Sequence, residues 1–206
     1  IGHWRLNDQS FSRTWIGYDL IILYGVLFQL GLVSDLTEEV ENVKVEVSNS
    51  LNYIGVSTSS SQNPAKRLAG QMVGRWIKIV GGGFTSPIAQ RWSDQINQSA
   101  KQLAFAENAN QLHFHSLSGI CYPEKIIPQS LVVFLKSSIN EYEVERLLDG
   151  IKDELMCNGV GTDFYTIRGK TRFSQIMSAV LFGDYVAYYL AIANQCDPSP
   201  VASIDV

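Results

Sequence analysis

The sequence predicts an α/β fold, a three-layer αβα sandwich around a parallel sheet, preceded by a helical pair. Three observations carry this. Short β-branched runs alternate with longer segments of helical period. The run Trp76-Ile77-Lys78-Ile79-Val80 breaks on Gly81, Gly82 and Gly83 and passes at once into a helix, which is half of a βαβ unit. Leu131-Val132-Val133-Phe134-Leu135 is apolar without interruption, as a parallel strand covered on both faces must be.

In order along the chain, the segment to Arg13 is polar and aperiodic. Trp15 to Leu32 then reads as a strongly apolar helix. The stretch to Val33 nearly reaches bilayer length, but Asp19 and Gln29 interrupt it, so a buried helix and no membrane partner are expected. Asp35 to Ile54 reads as a second helix, with Val40, Val43, Val47, Leu51 and Ile54 recurring on one face and acidic residues in its first turn. Gly55 to Ser61 is a serine-rich linker. This divides the chain into an N-terminal segment, 1–62, and an α/β domain, 63–206.

Within the domain, Asn63-Pro64 starts a helix that Gly74 ends. After the glycine run, Ser86 is the expected N-cap and Pro87 the first helical residue. Ile88, Ala89, Trp92, Ile96 and Ala100 form the apolar face, while Arg91, Asp94, Gln95 and Gln98 share another. Leu103 to Ala106 is a second short strand and Leu131 to Leu135 the third. Asn140 to Gly159 is a helix with Asn140 as its expected cap and Glu143 at the capping-box position. Asp163 to Ile167 is the fourth strand. Ser174 to Asn194 is the last helix, stopped by Asp197-Pro198-Ser199-Pro200.

Composition narrows the function. Of 206 residues 46% are hydrophobic and 17% charged, and the net charge of −4 leaves no basic footprint for nucleic acid. Cys121, Cys157 and Cys196 are odd in number and too widely spaced for a zinc motif, so reduced thiols in a cytoplasmic protein are expected. Ile1 opens the chain without a methionine or a charged leader, which predicts no signal peptide and suggests a piece of a longer protein.

Three constellations bear on chemistry. The glycine run with Thr85 and Ser86 has the form of an anion cradle, or equally of a tight turn with nothing bound. In His113-Phe114-His115 an extended backbone would set both imidazoles on one side. With no third ligand at a telling spacing no metal is expected, and an active-site or structural role for one imidazole is. Arg91 and Gln98 stand two helical turns apart and point the same way.

From Asn63 onward, and more loosely from Arg13, the chain resembles the C-terminal part of the bifunctional phosphoglucose/phosphomannose isomerases, members of the SIS (sugar isomerase) domain proteins. The resemblance is carried by Asn63-Pro64-Ala65-Lys66, Gly81-Gly82-Gly83-Phe84, Pro87-Ile88-Ala89-Gln90-Arg91-Trp92 and Asn97-Gln98-Ser99-Ala100-Lys101. Gly183-Asp184-Tyr185-Val186-Ala187-Tyr188-Tyr189-Leu190-Ala191 and Asp197-Pro198-Ser199-Pro200-Val201 complete it.

The resemblance implies a sugar phosphate as partner, a homodimer, and no cofactor. The implied reaction moves a proton between C1 and C2 of an aldose or ketose phosphate through an enediolate. It also implies a site containing Arg91, Gln98, His113, His115 and Ser199, with Gly82 and Gly83 beside the substrate. The family's base is a glutamate, and Gln98 occupies its place with an amide that has no useful basicity. The family's ring-opening histidine falls on Phe114, flanked by His113 and His115. A family threonine falls on Ser199, and a lysine on Val206. The family's first SIS subdomain, which holds the phosphate on serine- and threonine-rich loops, is missing from these residues. Ser116-Leu117-Ser118-Gly119 looks like such a loop but aligns elsewhere. Two functions follow as expectations: an isomerase domain with an altered site, or a non-catalytic sugar-phosphate-binding or dimerisation module.

Overall fold

The computed structural model describes residues 16–200, so the expectations for the first thirteen residues, Trp15, Val201 and Val206 lie outside the described residues. Compactness divides the chain after Glu38. In the N-terminal unit, α1 (Ile16–Gln29), apolar but for Asp19 and Gln29, has no buried residue where a buried helix was expected, and it ends where Gly31 takes a positive φ of 68°. The Tyr24 hydroxyl accepts from the Leu36 amide, and Asp35 Oδ1 accepts from the amide and hydroxyl of Thr37, which opens α2 (Thr37–Ile54). Those bonds hold the Asp35 carboxyl below the usual aspartate range.

The larger unit is built on four parallel strands in the order β2-β1-β3-β4: β1 (Trp76–Gly81), β2 (Ala104–Asn108), β3 (Ser130–Lys136) and β4 (Gly161–Thr166). All four expected strands are present, with ends moved by at most two residues. Five further helices complete it: α3 (Pro64–Met72), α4 (Ser86–Ala100), α5 (Ala109–Phe114), α6 (Tyr142–Cys157) and α7 (Arg172–Ala193).

Alternation along the strands sorts the two helical layers. Ile77 and Ile79 of β1, with Leu131, Val133 and Leu135 of β3, join α3, α4 and α7 in the larger core. Val80, Val132 and Phe134 face the other way, into a smaller core with α5 and α6. The sheet is thus the middle of three layers, as the pattern predicts. The helix α7 has the length and hydropathy of a membrane span, but 56% of its apolar window is buried inside the protein, where it packs on α3 and α4 as a core helix does.

Three local expectations are corrected. The N-cap of α4 is Thr85 rather than Ser86, because residues 83–85 first form a 3-10 turn. The N-cap of α6 is Glu141, not Asn140; the Asn140 amide is drawn instead to the Glu145 carboxylate at 2.8 Å. The extended backbone that would set His113 and His115 on one side is not adopted: α5, capped by Asn108 and with Leu112 buried under it, runs to Phe114, and His115 is the residue that ends it.

Candidate functional site

The strand order reverses between β1 and β3, the place where open α/β sheets form a ligand crevice. Here packing closes it. A side chain on Gly82 would stand 2.5 Å from Val144 Cγ1, so this glycine is required by α6. Gly83 has a positive φ of 56° and lies against the Asn140 side chain. Thr85 is fully buried and its hydroxyl accepts from the Gly82 amide at 2.9 Å. Gly82 and Gly83 therefore shape a tight, filled turn.

Beyond it lies a polar set that sequence reasoning missed. The wholly buried Gln175 accepts from Ser137 Oγ at 2.5 Å and donates to Gly169 O at 3.0 Å and Ser138 Oγ at 3.2 Å. Glu145 accepts from the Ser137 amide at 3.0 Å. Two serines directly after the most apolar strand were the available signal. Their partners, 38 and 8 residues away, were not visible in it.

The residues singled out on α4 keep their places on the helix and take different partners. Trp92 anchors the helix, its indole donating to Ala179 O at 2.8 Å across a close approach at Gly183. Arg91, one position earlier, reaches sideways to α7 and donates to both Asp184 oxygens at 3.0 and 3.2 Å. Burial pushes the Asp184 carboxyl up, and the charge and hydrogen bonds of Arg91 pull against that. Gln95, grouped in the sequence with Arg91, Asp94 and Gln98 apart from the apolar face, is buried beside Ser99.

Two turns beyond Arg91, Gln98 is half-buried. Lys101 takes a left-handed conformation at the end of α4, and its ammonium bridges Gln98 O and Pro200 O. Ser199 follows the turn in which its amide donates to Asp197 at 2.8 Å. Lys101 thus ties the segment carrying Ser199 to the end of α4 that carries Gln98.

His113 and His115 are elsewhere. Both are exposed at the end of α5, in the layer on the opposite face of the sheet from α4, and Phe114 between them is 72% exposed. His113 borders a surface cleft with Glu143, Arg146 and Glu154 of α6. Within one chain, then, the sheet separates either imidazole from Gln98. Among the described residues no three His, Cys, Asp or Glu side chains gather as metal ligands. The α4 surface offers a guanidinium held by a carboxylate and an amide that can donate and accept hydrogen bonds. It offers no carboxylate base at position 98.

Three comparisons place this architecture. A glucose-6-phosphate isomerase-like protein from Thermus thermophilus superposes with a TM-score of 0.69 at 21% identity, over 84% of this chain and 57% of its own. Among curated proteins, the bifunctional phosphoglucose/phosphomannose isomerase of Caldicellulosiruptor bescii is 29% identical over 94% of this chain. The enzyme of the same name from Thermoplasma acidophilum is 24% identical over 92%. The chain spans only 58% and 61% of the length of these two relatives. The profile of the bacterial phospho-glucose isomerase C-terminal SIS domain matches residues 61–206. By that match, which covers the whole sheet and every helix from α3 onward, the chain belongs to the bacterial phospho-glucose isomerase C-terminal SIS domain family.

Proposed function

We propose that the chain is the second SIS subdomain of a phosphoglucose/phosphomannose isomerase-like protein whose proton-transfer step has been lost. The observation that carries this is Gln98, half-buried on α4 where the family places its glutamate base. An amide keeps the shape of the carboxylate and its capacity to hydrogen-bond. It cannot take a proton from a sugar carbon near neutral pH. Arg91 supports the reading as a cation held toward a sugar phosphate by Asp184, and Ser199 supplies the hydroxyl of the family threonine. The opposite placement of His113 and His115 supports a homodimer, in which an imidazole would reach the Gln98 surface from a second copy. A cytoplasmic location accords with three free cysteines. Phe114 in place of the family's histidine favours a second reading, a non-catalytic sugar-phosphate-binding or dimerisation module.

Solvent-deuterium exchange into fructose 6-phosphate, followed by NMR over days, tests the proposal on the chain and its Gln98→Glu variant. The expected outcome is negligible incorporation by the native chain and an increase of about 100-fold or more with Gln98→Glu, the usual worth of a positioned base. Rapid exchange by the native chain would overturn the altered-site reading. Silence from both, with saturable binding of fructose 6-phosphate, would favour the binding module.

A further inference from the structure

The face of the sheet opposite α4 is unevenly covered. Toward the carboxyl ends of the strands, α5 and α6 pack on Val80 and Phe134. Toward the amino ends, residues 116–129 lie over it with two 3-10 turns and no α-helix, and a cavity of about 500 Å³ remains beneath them. Its floor and walls are apolar, including Leu112, Ile120, Ile126, Val132, Leu155 and Val160. Three aromatic side chains border it and stay open to solvent: Trp76 at 41%, Phe105 at 50% and Tyr122 at 78% exposure.

One charged pair lies among these apolar walls. Lys78, in the middle of an interior strand whose neighbours are Ile77 and Ile79, turns its ammonium to Glu107 of β2 at 2.5 Å. The second Glu107 oxygen accepts from Ser116 Oγ. A lysine inside a sheet face gains little from a cross-strand partner once both charges lose water. An apolar residue would have filled the space. The pair carries no net charge, yet it presents donors from the Lys78 ammonium beside acceptors from the Glu107 carboxylate.

We propose that this cavity is a second small-molecule site, separate from the α4 surface and independent of the isomerase reading. The ligand class it fits is a neutral, flat heteroaromatic compound with an adjacent hydrogen-bond donor and acceptor on one edge. The volume and the ratio of many apolar walls to few convergent polar groups are those of ligand pockets. Trp76 and Phe105 offer ring faces for stacking, and Tyr122 a third at the rim. Neutrality follows from the pair: a charged edge would meet one like charge wherever it met its opposite.

The probe is 2-quinolone, whose lactam edge carries N–H beside C=O, titrated into the isotope-labelled full chain and followed by amide and indole shifts. Saturable shifts are expected at the Trp76 indole, Gly119 and Ile120. The double variant Lys78→Met/Glu107→Gln should weaken binding about tenfold, the worth of one hydrogen bond to a charged group. Ile126→Trp, which fills the cavity, should abolish it without touching the charged pair. Absence of saturable shifts up to the solubility limit, or shifts that survive Ile126→Trp, would overturn the site. Tighter binding of 1-naphthoate than of 2-quinolone would overturn the neutral class.

Discussion

Asp184 faces two opposing demands. It lies in the seam between α4 and α7, where lost hydration favours its neutral form, and it holds Arg91, which favours the charged one. The net effect raises its pKa above the ordinary 3.8, so the folded state binds its proton more tightly than the unfolded chain does. Stability from this group is therefore full below the unfolded value and is lost as pH rises through the folded one. Urea midpoints of the native chain and Asp184→Asn, compared from about pH 3.5 upward, should move in favour of the variant as pH rises. A trend in the opposite direction would show that the ion pair outweighs the burial. At this scale some residues were readable and others not. Asn63 was, because Asn before Pro is an N-cap signature; its carbonyl oxygen accepts from Ala65 and Lys66, while its amide donates to Ile54 O at 2.8 Å. Asn140 was misread because Glu145, on the following helix, competes for its amide. Local pattern registers the nearest backbone groups and is blind to such a rival.

Among the elements, α4 and α7 approach closely where Gly183 faces Trp92. A methyl group added at Gly183 would come within 2.3 Å of Trp92 Nε1, so the two helices meet there backbone against ring. Gly183→Ala should cost about 2 kcal/mol, typical of overpacking in a dense core. The Trp92 indole should at the same time lose its bond to Ala179 O, seen as faster exchange of the indole proton. The long helices and the strands were legible because each repeats its period several times. The six-residue α5 was not, since fewer than two turns cannot establish a period, and its burial of Ala109 and Leu112 depends on α6, far along the chain. The candidate site was legible only in part. Spacing on α4 placed Arg91 and Gln98 on one surface, but nothing local to residues 113–115 could tell that the sheet would stand between them and Gln98.

Over the whole molecule, two apolar cores of unequal size share β1 and β3, each strand giving alternate side chains to either layer. Neither layer keeps its floor if the other leaves, so the larger unit should unfold in one transition. Leu148→Ala, deep in the smaller core, should cost about 3 kcal/mol. It should lower the urea midpoint by the same amount whether read by far-ultraviolet dichroism or by tryptophan fluorescence, although Trp92 lies in the other core. Separate midpoints would mean that the two faces fold as distinct units.

Asn97 and Gln98 stand side by side and divide their labour. The Asn97 side chain clamps both the amide and the carbonyl of Ala104, fixing the start of β2 to α4, whereas no described hydrogen bond runs through the Gln98 side chain. Descent can therefore change residue 98 without disturbing the scaffold, whereas a change at its neighbour would loosen the start of β2 from α4.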